Sequence, residues 1–220
     1  LLININHELR TPLTLIHAPL KQLLNMMSHK DEKYSLIQSI SKQSERMKDL
    51  LNMVLNVRKM EVGQSTLNIE VVNIHSWIEQ LIEDFRPELN MNKISIVYQA
   101  DKAIENLSFD KEKCTTILTN LLINALKYSS EKNQICVSTN LSEDGTRVRI
   151  SVSDQGPGLK GVDINNLFIR FYQGENSRPG TGIGLSYSKI LAEQHGGSIG
   201  AYDHGDKPGA TFWFELPRDM

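Results

Sequence analysis

The residues able to do chemistry lie in clusters far apart along this 220-residue chain. His7, Glu8 and Thr11 put an imidazole, a carboxylate and a hydroxyl close together on what reads as a long amphipathic helix, and the set looks like a phospho-acceptor. Asn120 and Asn124 are four apart and Lys127 follows three later, so the three share one side of a helix. Amide oxygens are hard ligands, fit for a Mg2+ ion that keeps several waters and is also held by phosphates. Taken alone, the same segment reads equally as a solvated polar face. Asp154 closes an alternating run of Val148, Ile150 and Val152 and is followed by Gly156, Pro157 and Gly158. Glycines at a strand end let a ligand approach the backbone, and a carboxylate there accepts a hydrogen bond from an exocyclic amine, which selects adenine over guanine. Alone, this too is an ordinary turn. Gly180, Thr181, Gly182, Gly184 and Leu185 lead into an amphipathic stretch, where amides at a helix start can hold phosphate. The run is not a Walker loop, because Lys-Ser/Thr is missing after it. Nor is it the dinucleotide fingerprint, since its third glycine comes one residue early and a polar loop leads in.

Two kinds of pattern must position these groups. Leu2, Ile5, Leu9, Leu13, Ile16, Leu20, Leu23 and Met27 recur at spacings of three and four, a helix whose apolar stripe spans an arc of roughly 80° with His7 roughly 160° from its centre. Pro12 removes the bond its N–H would make to the carbonyl of Glu8, bending the helix just after the histidine. A polar connection at 28–31 offers Ser28 or Asp31 as a cap. A second helix follows to about Glu61, with Ile37, Ile40, Met47, Leu51 and Val54 inward, Ser44 interrupting the stripe and Gly63 ending it. Such a hairpin has too little core to stand alone, and pairing with a copy of itself into a four-helix bundle solves that problem. From Thr66 the pattern changes: strands are expected at 67–72, 94–99, 134–140, 147–153, 198–202 and 210–216, and helices at 75–90, 110–128 and 183–195. Glu143-Asp144-Gly145 reads as a hairpin turn, favouring an antiparallel or mixed sheet with helices on one face. The Gly-, Pro- and Ser-rich stretch 172–181 is the candidate lid. The expected fold class is therefore α+β, a helical hairpin over 1–65 followed by an α/β sandwich over 66–220, hinged near 63–66.

Bulk properties bound the function. The length allows two modest domains, and a net charge of −2 leaves no electrostatic footprint for nucleic acid. Cys114 and Cys136 sit in apolar patterns and read as core thiols, not as a disulfide or a metal site. His17, His29, His75, His195 and His204 show no ligand spacing, and His195, ahead of two glycines, reads as a helix end where an imidazolium suits the C-terminal dipole. No apolar run approaches the ~18–20 residues needed to span a bilayer, and no signal peptide is visible. The chain begins without Met and in mid-pattern, so it is expected to be a cytoplasmic piece of something longer.

The order and spacing of the three later motifs resemble the ATP-binding domain shared by gyrase, heat-shock chaperone, histidine kinase and mismatch-repair ATPases. His7-Glu-Leu-Arg-Thr-Pro-Leu13 resembles the histidine box of sensor histidine kinases, and Arg58-Lys-Met-Glu61 also has that family's look. The Arg58–Gly63 run is further similar to the large hybrid sensors of gut bacteria. By this resemblance the chain is the cytoplasmic transmitter core of a bacterial two-component sensor histidine kinase, whose parent is an inner-membrane protein. Asn124 would hold Mg2+, Asn120 and Lys127 would face the phosphates of ATP, Tyr128 would pack on the base, and Asp154 would read adenine. Gly156, Gly158, Gly180, Thr181, Gly182, Gly184 and Leu185 would line the pocket. Phe168-Ile-Arg170-Phe-Tyr172 looks like the family's phenylalanine box, with Arg170 placed for the γ-phosphate, a role suited to a guanidinium. His7 would attack that phosphate, Glu8 would orient the ring and act as general base, and Thr11 would help place a water for dephosphorylating a partner. The implied partners are a second copy, through the hairpin, and the receiver domain of a response regulator, whose aspartate takes the phosphoryl group.

The chain departs from the family pattern at Asn6, where a small Ser is usual, and at Gln173, where Arg is frequent, leaving one fewer cation near a short lid. Helix one also lacks residues before Leu1, an expected weakness in the dimer. Two alternatives stand beside the kinase: a plain ATPase of the same superfamily, and a dimeric scaffold that binds nucleotide without turnover.

Overall fold

The computed structural model describes residues 66–172 and 182–219, with residues 16, 19, 20, 22, 23, 26, 27, 33, 34, 36–41, 43, 44 and 47 ahead of them. The chain divides into two units, Leu1–Ser65 and Thr66–Met220. In the first, the described residues from Ile16 to Met26 and from Tyr34 to Met47 are helical, with a bend at Met27 and a turn at Lys33 between them. Ile40 and Met47, expected inward, are 52% and 57% exposed, as Ile16 and Leu23 are 51% and 46%, while Ser41 and Ser44 are buried. The small serines tuck in where the bulkier apolar side chains project.

In the second unit the order is β1 (Glu70–Asn73), α1 (Ile74–Met91), β2 (Ser95–Gln99), β3 (Asn106–Phe109), α2 (Lys111–Tyr128), β4 (Gln134–Leu141), β5 (Arg147–Ser153), a 3-10 turn (Ile164–Phe168), α3 (Gly184–Gln194), β6 (Ser198–Asp203) and β7 (Ala210–Pro217). Five strands form one mixed sheet in the order β2-β4-β5-β7-β6. Only β2 and β4 run parallel within it, so the mixed sheet expected from the pattern is present. β1 and β3 form a separate antiparallel ribbon. The sequence reading missed β3, whose four residues alternate only once through Leu107 and Phe109, and it placed β1 too early. Residues 66–69 are instead held off the strand path by side chains: Lys113 Nζ donates to the Thr66 carbonyl at 2.8 Å and Asn68 N–H to Asp110 Oδ2 at 3.0 Å.

Alternation divides the sheet into two faces. Ile135, Val137, Val148, Ile150, Val152, Phe212, Phe214 and Leu216 are buried, and Ile78, Ile117, Leu118, Leu121, Leu122 and Leu191 of the helices are buried with them. At ~25 cal/mol per Å2 of apolar surface, each such side chain stabilises the fold by about 1.5–3 kcal/mol. The other face is polar: Arg149 lies 4.1 Å over the Trp213 ring and pairs with Glu215. Cys136 falls on this face and is only half-buried, so the expectation of a second core thiol fails by one step of the pleat. Cys114 is the core thiol, its proton held more tightly by burial. Asn73 and Asp110 cap α1 and α2, each accepting from the backbone N–H three residues on, at 3.0 Å.

Candidate nucleotide site

α2 and α3 lie side by side and run in opposite directions, and their polar contacts set the site. Near the middle of α2, Asn120 Nδ2 donates to the Gly184 carbonyl at 3.2 Å and to Ser188 Oγ at 3.0 Å. The Gly184 carbonyl is an obligatory acceptor, so it fixes which end of the amide faces α3. Asn120 therefore serves first to lock α2 against the start of α3, and only its Oδ1 stays without a hydrogen bond among the described residues. One turn on, Asn124 is half-buried and its side chain makes no hydrogen bond to a described residue, which leaves an amide oxygen available to a hard cation. Lys127 sits 4.9 Å from the centre of the Tyr128 ring. Leu121 and Leu122 are buried while Ile123 is 47% exposed, because a helix flanked on one side cannot bury three consecutive residues.

Asp154 follows β5 and is 5% exposed. Its Oδ1 accepts from Gly156 N–H at 2.8 Å and from Ala210 N–H at 3.4 Å, while its own N–H donates to the Ala210 carbonyl at 2.9 Å. No described residue donates to Oδ2. Burial pushes the carboxyl above the ordinary carboxylate value, against the pull of these two N–H groups and of His204. Oδ2 therefore remains open to accept a ligand N–H, as the exocyclic amine of adenine supplies. The loop beyond it passes directly against α2: a Cβ on Gly156 would lie 2.7 Å from the Tyr128 carbonyl oxygen, so only glycine fits there.

α3 starts at Gly184 with no side-chain cap and no acidic residue in its first turn, so its first-turn N–H groups present the positive end of the helix dipole. Gly182 and Leu185 flank that start. Phe171 N–H donates to the Gly182 carbonyl at 2.8 Å, tying the two ends of the intervening loop together. Arg170 is exposed beside that tie. Of the predicted site residues, Gly180 and Thr181 lie outside the described residues, as do His7, Glu8 and Thr11, the helix bend at Pro12 and the polar connection at 28–31. Asn120, Asn124, Lys127, Tyr128, Asp154, Gly156, Gly158, Gly182, Gly184 and Leu185 are all placed, on α2, the loop after β5 and the start of α3.

His195 corrects a sequence expectation. It ends α3, as foreseen, but it is buried, with Nδ1 2.7 Å from the Leu191 carbonyl and Nε2 accepting from Asp110 N–H at 3.2 Å. Burial lowers its pKa, so the ring is neutral and not an imidazolium at a helix end. Sequence reasoning also missed Ser188, Ala210 and Asp203, whose contacts with the motifs are long-range. Among the described residues no cluster of three or more His, Cys, Asp or Glu could hold a metal ion, and no helix is long and apolar enough to cross a membrane.

Comparison with known proteins gives the family. Residues 109–220 match the family of histidine kinase-, DNA gyrase B- and HSP90-like ATPases, and residues 1–63 match the His Kinase A (phospho-acceptor) domain. The sensor histidine kinase WalK of Bacillus subtilis is 33% identical over 221 residues, 97% of this chain and 36% of WalK. The sensor protein GacS of Pseudomonas syringae is 33% identical over 224 residues, 98% of this chain and 24% of GacS. Among solved structures, full-length ShkA in complex with AMPPNP has a TM-score of 0.82 at 27% identity, covering 100% of this chain and 46% of that one. The mycobacterial sensor histidine kinase MprB has a TM-score of 0.59 at 25% identity, covering 69% of this chain and 99% of that one. The chain spans between 16% and 37% of the length of the curated relatives it matches. With an ATPase match over 109–220 and a phospho-acceptor match ahead of it, the chain belongs to the family of histidine kinase-, DNA gyrase B- and HSP90-like ATPases, in its histidine kinase branch.

Proposed function

We propose that this chain is the catalytic core of a sensor histidine kinase, which transfers the γ-phosphoryl group of ATP to His7 and from there to an aspartate of a response regulator. The observation that carries the reading is the buried Asp154 carboxylate, whose Oδ2 lacks a donor among the described residues at the head of a glycine loop packed on α2. That oxygen accepts the exocyclic amine of adenine, and Tyr128 packs on the base. The uncapped start of α3, with Gly182, Gly184 and Leu185, receives phosphate oxygens. Asn120 through Oδ1, Lys127 and the Gly180–Thr181 segment face the phosphates, and Arg170 faces the γ-phosphate.

Asn124 is the residue to hold Mg2+, which when bound neutralises charge on the phosphate oxygens. The imidazole of His7 attacks the γ-phosphorus as the bond to the ADP oxygen breaks; ADP leaves, and the ring proton passes to Glu8. Thr11 positions water for the reverse service, dephosphorylation of the regulator. Residues 1–65 form the phospho-acceptor hairpin and 66–220 the ATP-binding domain, with the hinge at 63–66. The exposure of Ile16, Leu23, Ile40 and Met47 in a single chain supports a homodimer in which a second hairpin covers them. The whole protein is read as a membrane-anchored sensor with this portion in the cytoplasm.

Incubation with γ-labelled ATP and Mg2+ tests the reading. Acid-labile, alkali-stable label that is absent from His7→Gln is the expected result. Label persisting in His7→Gln overturns the acceptor assignment. ATP hydrolysis without label favours a plain ATPase, and ATP binding with neither favours a scaffold.

A further inference from the structure

The loop that shapes the adenine end is held from behind by a residue that belongs to none of the recognised motifs. Asp203 is the last residue of β6, 44 positions from the loop it touches. Its Oδ2 accepts the backbone N–H of Leu159, and its Oδ1 accepts that of Gly205 at 2.8 Å. Gly158, at φ +78°, brings its Cα against the same carboxylate, so that a Cβ there would lie 2.6 Å from Asp203 Oδ2. The loop is thus fastened at both ends to carboxylates: Gly156 N–H to Asp154 and Leu159 N–H to Asp203. Beyond the following turn, the Ala210 N–H that leads β7 also donates to Asp154.

We propose that Asp203 is a positioning residue for adenine recognition, holding the 156–159 loop so that Asp154 keeps Oδ2 directed at the base. The proposal rests on the nucleotide-site reading and assigns this chain's specificity to a second carboxylate that does not touch the ligand. The two N–H groups it accepts hold the Asp203 carboxyl below the ordinary carboxylate value, so it stays ionised and keeps both bonds at neutral pH. An amide at this position has one acceptor oxygen for two N–H groups, and alanine has none.

The test measures equilibrium binding of ATP and of GTP to the intact chain and to Asp203→Asn, Asp203→Ala and Gly158→Ala, with melting temperature as the check on folding. Asp203→Ala is expected to weaken ATP at least tenfold while GTP changes less than twofold, so that the ATP/GTP preference collapses. Asp203→Asn should fall between, and Gly158→Ala should reproduce the effect by pushing the loop off the carboxylate. In the double variant the loss should not exceed that of the worse single change, because both act through one loop. If Asp203→Ala does not fold, the Asn and Gly158 variants carry the same comparison. An unchanged ATP/GTP preference in folded variants overturns the proposal and leaves the site reading intact. A parent chain that binds no nucleotide overturns both.

Discussion

Two aspartates in the ATP-binding unit are almost equally hidden, Asp110 at 4% exposure and Asp154 at 5%, yet their surroundings drive their protons in opposite directions. Around Asp110 every acceptor is used. Oδ1 takes the Lys113 N–H at 3.0 Å, and Oδ2 takes the Asn68 N–H at 3.0 Å and the Lys113 ammonium at 2.7 Å. Burial alone would raise its pKa, but the Lys113 side chain, those N–H groups and the lysine charge outweigh burial and hold the carboxyl below its ordinary value. At Asp154 burial wins and the pKa rises. Asp110 caps a helix and holds the start of the domain through Asn68 and through Lys113, whose ammonium also donates to the Thr66 carbonyl, while the Asp110 backbone N–H donates to His195 at the far end of α3. Asp154 keeps an oxygen without a donor among the described residues, at the opposite end of the same helix pair. A completed hydrogen-bond shell marks a structural carboxylate, and an incomplete one in an equally buried place marks a ligand site.

The sharpest way to break this comparison is to remove each carboxylate and read binding and stability separately. Asp154→Ala should weaken ATP binding by about 100-fold, the scale of losing a hydrogen bond to a charged acceptor in a dry site. Asp154→Asn should leave the melting temperature of the ligand-free chain unchanged or higher, since it removes a charge that burial disfavours. Calorimetric titration with ATP and thermal unfolding of the same samples check both. A drop in stability without loss of binding would make Asp154 a second structural carboxylate and erase the contrast.

Asp110→Ala should show the reverse. It removes a helix N-cap and strands the Lys113 ammonium and the Asn68 N–H, so unfolding should become easier by about 2–4 kcal/mol. ATP affinity should stay within about twofold, because Asn120, Asn124 and Asp154 are untouched. Denaturant melts in parallel with ATP binding decide the matter, and a large affinity loss in a well-folded variant would contradict the division of labour.

How much of this was legible beforehand depended on the range of each signal. The alternating runs at 147–153 and 210–216 revealed both faces of the sheet because one buried face imposes a period of two. Asp154, Gly156 and Gly158 could be singled out because a carboxylate and glycines at a strand end form one local pattern. The shared side of Asn120, Asn124 and Lys127 could be read from helix periodicity, but the tie from Asn120 to Gly184 and Ser188 bridges more than sixty positions and has no local mark. β3 was invisible because its identity comes from pairing with β1, not from its four residues. Asp203, in a run of turn residues, reads as turn chemistry, and its hold on Leu159 exists only after the sheet has formed. His195 was assigned a charge from its place at a helix end, whereas burial against Asp110 and Cys114 decides its state.

His195 extends the contrast to a smaller effect. Its Nε2 accepts the Asp110 N–H, and burial lowers its pKa, so the folded chain resists a proton that the unfolded chain takes near pH 6.5. The unfolded state then binds more protons, and stability falls as pH drops below about 6.5 toward the lowered folded value. His195→Gln should flatten that part of the stability-versus-pH curve and cost about 1–2 kcal/mol at pH 7.5 through lost packing and a poorer acceptor. Urea melts between pH 5 and 8 show it, and a variant keeping the parental slope would place the titrating group elsewhere.

The finest discrimination comes from the acid limb. Asp110 has a lowered folded pKa, so its contribution is fully present above the unfolded value of about 3.9 and is lost as pH falls through the folded one. Asp154 has a raised folded pKa, so between about 3.9 and that higher value the folded state holds the extra proton, and stability falls as pH rises through the window. The two slopes are opposite in sign and lie on opposite sides of the same reference. Removing Asp110 should flatten the loss below about pH 4, and Asp154→Asn should remove the decline just above it. Saturating ATP changes only the second: a ligand N–H on Oδ2 favours the ionised carboxylate, so ATP should abolish the decline in the parent chain and leave the Asp110 limb where it was. Unfolding followed from pH 3 to 6, with and without ATP, separates the two carboxylates by sign alone. Limbs that shift together on adding ATP would mean that both ends of the α2–α3 pair sense the nucleotide.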